Sequence, residues 1–338
     1  MREQLRARAP AKLILSGEHA VVYGKPAIAM AIDRYAESTI LAGLSSAILF
    51  NCLNLRYAKS FTLHALEALK KRLQNKYHAF LEGRCGIRDV LKRPFELLQY
   101  TVTHLLETWN IPLSQGLEIR ASSDIPMGCG MGSSAALVMS TLYALAHFFK
   151  LDLDPARFIS VGREAENLQH GYSSGLDLHL AMTGGCLRFE AGQTSERMIP
   201  NVPLYMVQTG TPKTSTGESV SFVEKYFKQS SLGEDFAAVT NAFDQALQVG
   251  DGAAMQVCIR ENHRLLVNIG VVPPKIQAFI QALEQEGAAA KICGAGAVAG
   301  DNAGVVLVAS DRDLSSITRD FGYTMQGVQG DAHGAHLL

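Results

Sequence analysis

The segment Pro126-Met127-Gly128-Cys129-Gly130-Met131-Gly132-Ser133-Ser134-Ala135 constrains this 338-residue chain more than any other. Three glycines at every second position bring bare backbone N–H groups together. A β-prone run at residues 117–121 leads into them, and an apolar helical stretch follows to about Lys150. The order is strand, loop and buried helix, and the helix N-terminus adds about half a positive charge. Ser133 and Ser134 stand there with hydroxyls suited to a phosphate oxygen or to magnesium. A serine-capped glycine turn without a ligand is the plainer alternative. Neither familiar phosphate loop fits, because a Walker loop needs lysine where Ser133 stands and a dinucleotide fingerprint needs glycine at 133 rather than 132. The segment therefore reads as a third kind of nucleotide phosphate cradle.

The length corresponds to roughly two domains at about 150 residues each. Apolar residues make up 47 % and charged residues 19 % with no low-complexity tract, which is the composition of a soluble globular protein. The 31 Lys and Arg nearly balance 32 Asp and Glu, so no bulk field steers the chain to nucleic acid or to a membrane, and an anionic ligand must be bound by local geometry. The cluster Lys70, Lys71, Arg72 and Lys76 reads as a solvated helix face. Six scattered cysteines (52, 85, 129, 186, 258 and 293) predict free thiols and a cytoplasmic location. Arg2, Arg6 and Arg8 are followed by only a short apolar run before Glu18 and His19, so no signal peptide is expected. The most apolar stretch, residues 135–149, contains Ser140, Thr141 and His147 and falls short of the roughly 20 residues a membrane span needs.

Residues 7–40 predict a β-meander, with runs at 12–15, 20–23 and 27–32 separated by Ser16-Gly17 and Gly24-Lys25-Pro26 turns. Residues 61–110 carry leucines at helical spacing with a break at 83–86, and Asp154 with Pro155 starts a helix that runs to His170. Residues 184–196 read as a strand followed by a polar turn at 192–195, which places a domain boundary near residue 190 and divides the chain into 1–190 and 191–338. The second half alternates strands at 204–208, 289–292 and 304–309 with helices at 219–229, 235–249, 255–266 and 275–286. That layering predicts an α+β sandwich with helices on one sheet face.

Three further segments carry groups able to do chemistry. Residues 10–24 put Lys12 inside an apolar strand with Glu18 and His19 on the adjacent turn, although a single strand lysine is usually an exposed edge residue. Residues 166–177 expose Glu166 and Asp177 at the two ends of a glycine-serine loop, while each alone reads as a surface residue or a helix cap. A second glycine cluster, from Gly294 to Gly300, precedes a strand and supplies no helix N-terminus. It reads as a hairpin-like turn, either plain or passing close to a ligand.

Together and in this order, these segments resemble the GHMP small-molecule kinases, and most closely the branch that acts on mevalonate. PAKLILSGEHAVVYGKPAIA is similar to the family's first motif, PMGCGMGSSAA to its nucleotide loop, ENLQHGYSSGLDLHLAMTGG to the segment with its catalytic aspartate, and KICGAGAVAG to its third motif. The run AVVY after His19 matches the mevalonate branch, where galactokinases typically carry Asp and Tyr. The third motif departs from the family, with Ala297, Val298 and Ala299 in place of glycines.

The resemblance implies a two-domain α+β GHMP kinase fold, with a ribosomal S5 domain 2-like N-terminal domain and a ferredoxin-like α+β C-terminal domain. It implies Asp177 as catalytic residue with Lys12 beside it, and Ser134 and Glu166 as magnesium ligands. Gly128, Cys129, Gly130, Met131, Gly132, Ser133 and Ser134 would cradle the triphosphate, with Lys12 and Ser123 as further ATP contacts. Glu18 and His19 would line the acceptor site, and residues 209–216 (TGTPKTST) would lie near it. The implied activity is ATP-dependent phosphorylation of the primary hydroxyl of mevalonate with Mg2+, giving 5-phosphomevalonate, in a homodimer. Phosphomevalonate, homoserine and sugars are the alternative acceptors, and a non-catalytic ligand sensor on the same fold is the alternative of another class. A dinucleotide oxidoreductase fails on glycine spacing.

Overall fold

The computed structural model describes residues 4–338, so Arg2 of the N-terminal basic trio lies outside the described residues. The chain begins with β1 (Gln4–Ser16), which pairs antiparallel with β2 (Ala27–Ala42) in register Leu13 to Met30. Between them, residues Ala20–Tyr23 form a 3₁₀ turn closed by left-handed Gly24, and not the strand that their β-prone composition predicts. The segment closes on itself as a turn, with Val22 N–H donating to His19 O and Gly24 N–H to Val21 O, while β1 and β2 pair directly with each other.

The short strands β3 (Ile48–Cys52) and β4 (Tyr57–Phe61) follow. Helices α1 (Leu63–Leu81), which Thr62 caps by accepting from Ala65 N–H, and α2 (Pro94–Thr108) come next, as the leucine spacing predicts. The basic cluster on α1 is only partly solvated: Lys70 is buried against Glu107 of α2, and Arg72 reaches Glu96 at 3.0 Å. The two cations fasten α1 to α2 and correct the expectation of a purely solvent-facing stripe.

Strand β5 (Leu117–Ser123) pairs antiparallel with β2 and parallel with β3, then feeds the glycine loop. Helix α3 (Ser133–Phe148) is apolar on nearly every face and lies across β1 and β2, as its composition requires. Helix α4 (Pro155–His170) is capped by Asp154, whose carboxylate accepts from Ala156 N–H at 3.0 Å. The short α5 (Leu176–Thr183) completes the layer. Strands β6 (Cys186–Glu190) and β7 (Gln193–Arg197) form a hairpin turned by Ala191 and Gly192. Residues 193–195, expected in a turn, are therefore strand. Residue 190 lies at this hairpin, and the first sheet continues past it to Arg197.

The second sheet contains β8 (Leu204–Gly210), followed by helices α6 (Thr216–Gln229), α7 (Leu232–Val249), α8 (Gly252–Asn268) and α9 (Pro274–Gln285). It continues through β9 (Ala289–Ile292), β10 (Gly304–Ala309), α10 (Ser315–Asp320) and β11 (Thr324–Gly327). The strand order is β11-β8-β10-β9 with every pair antiparallel, which is the split βαβ arrangement of ferredoxin-like folds. Finally β12 (His336–Leu337) returns to pair with β1. One apolar core joins Leu13, Ile28 and Met139 to Phe243, Ile259 and Leu307, so the two sheets meet through core-like packing that fixes the groups between them. All six cysteines are free, and among the described residues no helix is long and apolar enough to cross a membrane.

Candidate active site

Strand β1 carries Lys12 into the interior, where its own N–H donates to Met131 O at 3.0 Å and ties the strand to the glycine loop. Two glycines of that loop are required by close approach. A Cβ at Gly130 would lie 2.7 Å from Cys293 O, and one at Gly132 would lie 3.1 Å from Lys12 Cγ and 3.3 Å from Asp177 Oδ2. The loop therefore packs its bare backbone against the third motif on one side and over a pair of charged side chains on the other. The second glycine cluster is thus no isolated turn.

That pair is the centre of the site: Lys12 Nζ lies 3.0 Å from Asp177 Oδ1. Asp177 comes from the first turn of α5, and the buried Glu166 comes from α4. Ser134, in the first turn of α3, donates to Glu166 Oε2 at 3.2 Å and lies 3.3 Å from His170 Nε2. Four expected residues, Lys12, Ser134, Glu166 and Asp177, thus converge from one strand and three helices. Burial, and then the negative charge of Asp177, push the Glu166 carboxyl up to about 8. Its Oε1 is buried without a hydrogen-bond partner. An orphaned carboxyl oxygen beside a second carboxylate and a hydroxyl suits a hard cation that takes oxygen ligands, so these residues fit magnesium.

A cavity of about 270 Å³ opens beside this centre, between Gly128, Gly130 and His170 on one wall and Thr214, Ala295 and Gly296 on the other. Cys129 and Met131 bury their side chains, which leaves their backbone as the part available to a ligand. Ser123 is not part of the cavity wall; its hydroxyl donates to Tyr35 O of β2 at 3.4 Å and accepts from Ile125 N–H of the turn after β5 at 3.1 Å. Glu18 departs from expectation: it is fully buried, ion-paired to Lys291, and accepts from Asn262 Nδ2 at 2.9 Å. Both carboxylate oxygens are engaged inside the protein, and the side chain has no exposed surface to present to an acceptor.

His19 has φ +61° and brings its Nε2 to 3.1 Å from Ala295 O in the third motif. In residues 209–216, Thr209 is buried between Ala303 N–H and Gly304 O, whereas Thr214 accepts from Val298 N–H at the cavity wall. Sequence reasoning missed His170, whose signal was its place one helical turn after Glu166. It also missed Lys291 and Asn262, which carry no local signal at all.

Burial holds His19 and His263 down at about 4, so both are neutral at pH 7. The unfolded chain takes up these protons near pH 6.5 and the folded chain does not, so stability is lost as pH falls from 6.5 towards 4. Each histidine loses about 1.4 kcal/mol per pH unit. Glu166, protonated in the folded protein but ionised above about 4.5 when unfolded, gains about as much over the same range, so the net loss is about 1.4 kcal/mol per unit. Urea unfolding midpoints at pH 7 and pH 5 measure it, and equal midpoints would contradict it.

The profile for the GHMP kinases N terminal domain matches residues 96–185, which hold the glycine loop, Glu166 and Asp177. A mevalonate kinase from Archaeoglobus fulgidus is 31 % identical over 292 residues, covering 86 % of this chain and 88 % of that relative. This chain belongs to the GHMP kinases, in the mevalonate kinase family. Another family member, the mevalonate kinase of Thermococcus onnurineus, is 30 % identical over 306 residues, 86 % of each chain. The crystal structure of the Methanococcus jannaschii mevalonate kinase superposes with a TM-score of 0.77 over 97 % of this GHMP kinase and 99 % of that chain, at 22 % identity. A Lactococcus lactis galactokinase complexed with galactose reaches 0.75 at 15 % identity, covering 99 % of this chain and 95 % of that one. The shared fold therefore does not by itself separate one acceptor from another.

Proposed function

We propose that this GHMP kinase transfers the γ-phosphoryl group of ATP to the primary hydroxyl of mevalonate, giving 5-phosphomevalonate and ADP. The observation that carries the chemistry is the Lys12–Asp177 contact of 3.0 Å directly under Gly132 of the glycine loop. Phosphoryl transfer asks mainly for alignment and neutralisation of charge. The backbone N–H groups of residues 128–134 hold the phosphates, Asp177 accepts the proton of the attacking hydroxyl, and Lys12 offsets negative charge as the transfer proceeds. Ser134 and Glu166 would hold magnesium, which when bound supplies positive charge to the β and γ phosphate oxygens. His19 contributes to the acceptor side, and residues 1–190 form the ATP-binding unit in this reading. The near-zero net charge and the free thiols support a cytoplasmic enzyme of small molecules without nucleic-acid or membrane partners.

The relatives named mevalonate kinase support mevalonate as the acceptor. Incubation with ATP, magnesium and a panel of alcohols, counting ADP, tests the choice. Mevalonate should give the highest kcat/KM, and preference for homoserine, phosphomevalonate or a sugar would reject it. Glu166→Gln should raise the magnesium concentration for half-maximal rate by about tenfold, because the Glu166 carboxyl can give up its proton to a hard cation and present a charged oxygen, whereas the amide cannot. An unchanged magnesium titration would remove Glu166 from the metal's ligands.

A further inference from the structure

Glu18 and Lys291 form an ion pair in which neither side chain touches solvent. The two residues come from different sheets, Glu18 from the turn after β1 and Lys291 from β9. Lys291 Nζ also donates to Ile292 O at 3.1 Å. The other Glu18 oxygen accepts from Asn262 Nδ2 at 2.9 Å, and Asn262 Oδ1 accepts in turn from Gly17 N–H at 3.3 Å. Ser16 Oγ lies 2.8 Å from Thr240 Oγ1 and extends the network into α7. Removing two charges from water is costly, and a well-packed apolar pair would often serve stability as well. The network needs a reason other than stability.

The adjoining residue supplies one. His19 is a non-glycine residue at φ +61° and ψ −50°, the strained centre of a γ-turn in which Ala20 N–H donates to Glu18 O at 2.6 Å, a conformation that persists only where the surroundings impose it. Its Nε2 faces the carbonyl oxygen of Ala295, so Nε2 must be the protonated nitrogen, and Nδ1 is left as a buried acceptor with no partner in the protein. Ala295 belongs to the cavity wall opposite the glycine loop. The loop before it is tied to β1 by Cys293 Sγ, which donates to Ile14 O at 3.2 Å.

We propose that Lys291 and Asn262 are positioning residues that clamp Glu18 and thereby hold His19 in one backbone conformation and one tautomer against the third-motif loop at Ala295. They act through His19 and touch neither nucleotide nor acceptor. The kinetic half of this inference rests on the proposed phosphorylation of mevalonate; the structural half does not.

Two variants and two readouts test it. Lys291→Met removes the cation and leaves Glu18 buried without its partner, so Asn262→Ala, which changes no charge, accompanies it in case the first does not fold. In folded protein, each variant should raise KM for mevalonate about tenfold and leave KM for ATP within about twofold. Nitrogen-15 NMR of the His19 ring should report the Nε2–H tautomer in the wild type and its loss in the variants. A network that only stabilises the fold would lower the thermal midpoint while leaving the mevalonate KM and the His19 signal at wild-type values, and that result overturns the proposal. If the wild type does not phosphorylate mevalonate, the proposed reaction fails, and the NMR signal alone decides whether Lys291 and Asn262 position His19.

Discussion

Replacing Asp177 with asparagine is expected to lower kcat by about a thousandfold while ATP binding stays near wild type, the size of effect associated with loss of a positioned general base. Asparagine matches aspartate in shape and still presents an oxygen to Lys12, so the 3.0 Å contact has a substitute and the packing is retained. The amide cannot take a proton from the attacking hydroxyl. A carboxylate with a reference pKa of about 4 is itself a weak base towards an alcohol, so proton transfer comes late, once the oxygen has begun to bond phosphorus. The phosphate-binding backbone of the glycine loop is left intact by the change, which is why nucleotide affinity is spared. Single-turnover rates and ATP titrations separate the two quantities, and a wild-type kcat would reject Asp177 as the base.

Gly132→Ala should reduce kcat by about tenfold, less than the roughly hundredfold associated with misplacing reacting groups by about 1 Å, because its neighbours must give by only a fraction of that distance. Gly132 has φ +70°, a conformation that costs an L-residue about 1–2 kcal/mol. The added methyl would also stand 3.1 Å from Lys12 Cγ and 3.3 Å from Asp177 Oδ2. Lys12 Cγ is anchored by the strand behind it and cannot swing away as the tip of a long side chain can, so the charged pair is displaced. Gly83→Ala is the control, because Gly83 has φ +72° and open space where its Cβ would be. Both variants should lose a few degrees of thermal stability. Only Gly132→Ala should lose activity, and equal kinetics for the two would show that the contact under Gly132 has no part in turnover.

The parts of the site that could be read from the sequence are those whose signal is local. Alternate glycines before an apolar helix, Asp154-Pro155 at a helix start, and a lysine inside an apolar strand are patterns within a few residues, and each stands where expected. The pairing of Lys12 with Asp177 came only from the resemblance, since nothing in either segment shows that β1 and α5 are neighbours. The network around Glu18 was illegible for the same reason. Glu18 and Lys291 are 273 residues apart, and an acid on a turn beside a histidine looks like a free ligand until its partner is known.

Only the resemblance points to Ser123, and its hydroxyl is engaged by Tyr35 O of β2 and by Ile125 N–H. In the fold, β3 and β4 escaped notice because each is only five residues long and is stabilised by pairing with its neighbours. Residues 20–23 show the opposite error: their composition favours a strand, but local turn hydrogen bonds hold them as a 3₁₀ turn while β1 and β2 pair directly.

The central claim is that an acid and a cation act together on the terminal phosphoryl group of bound ATP. It is tested most directly by following radiolabelled γ-phosphate of ATP in the presence of magnesium and mevalonate. Label should appear in 5-phosphomevalonate, dependent on magnesium and lost with Asp177→Asn. Label that remains in ATP, or appears only as inorganic phosphate whether or not mevalonate is added, would contradict it.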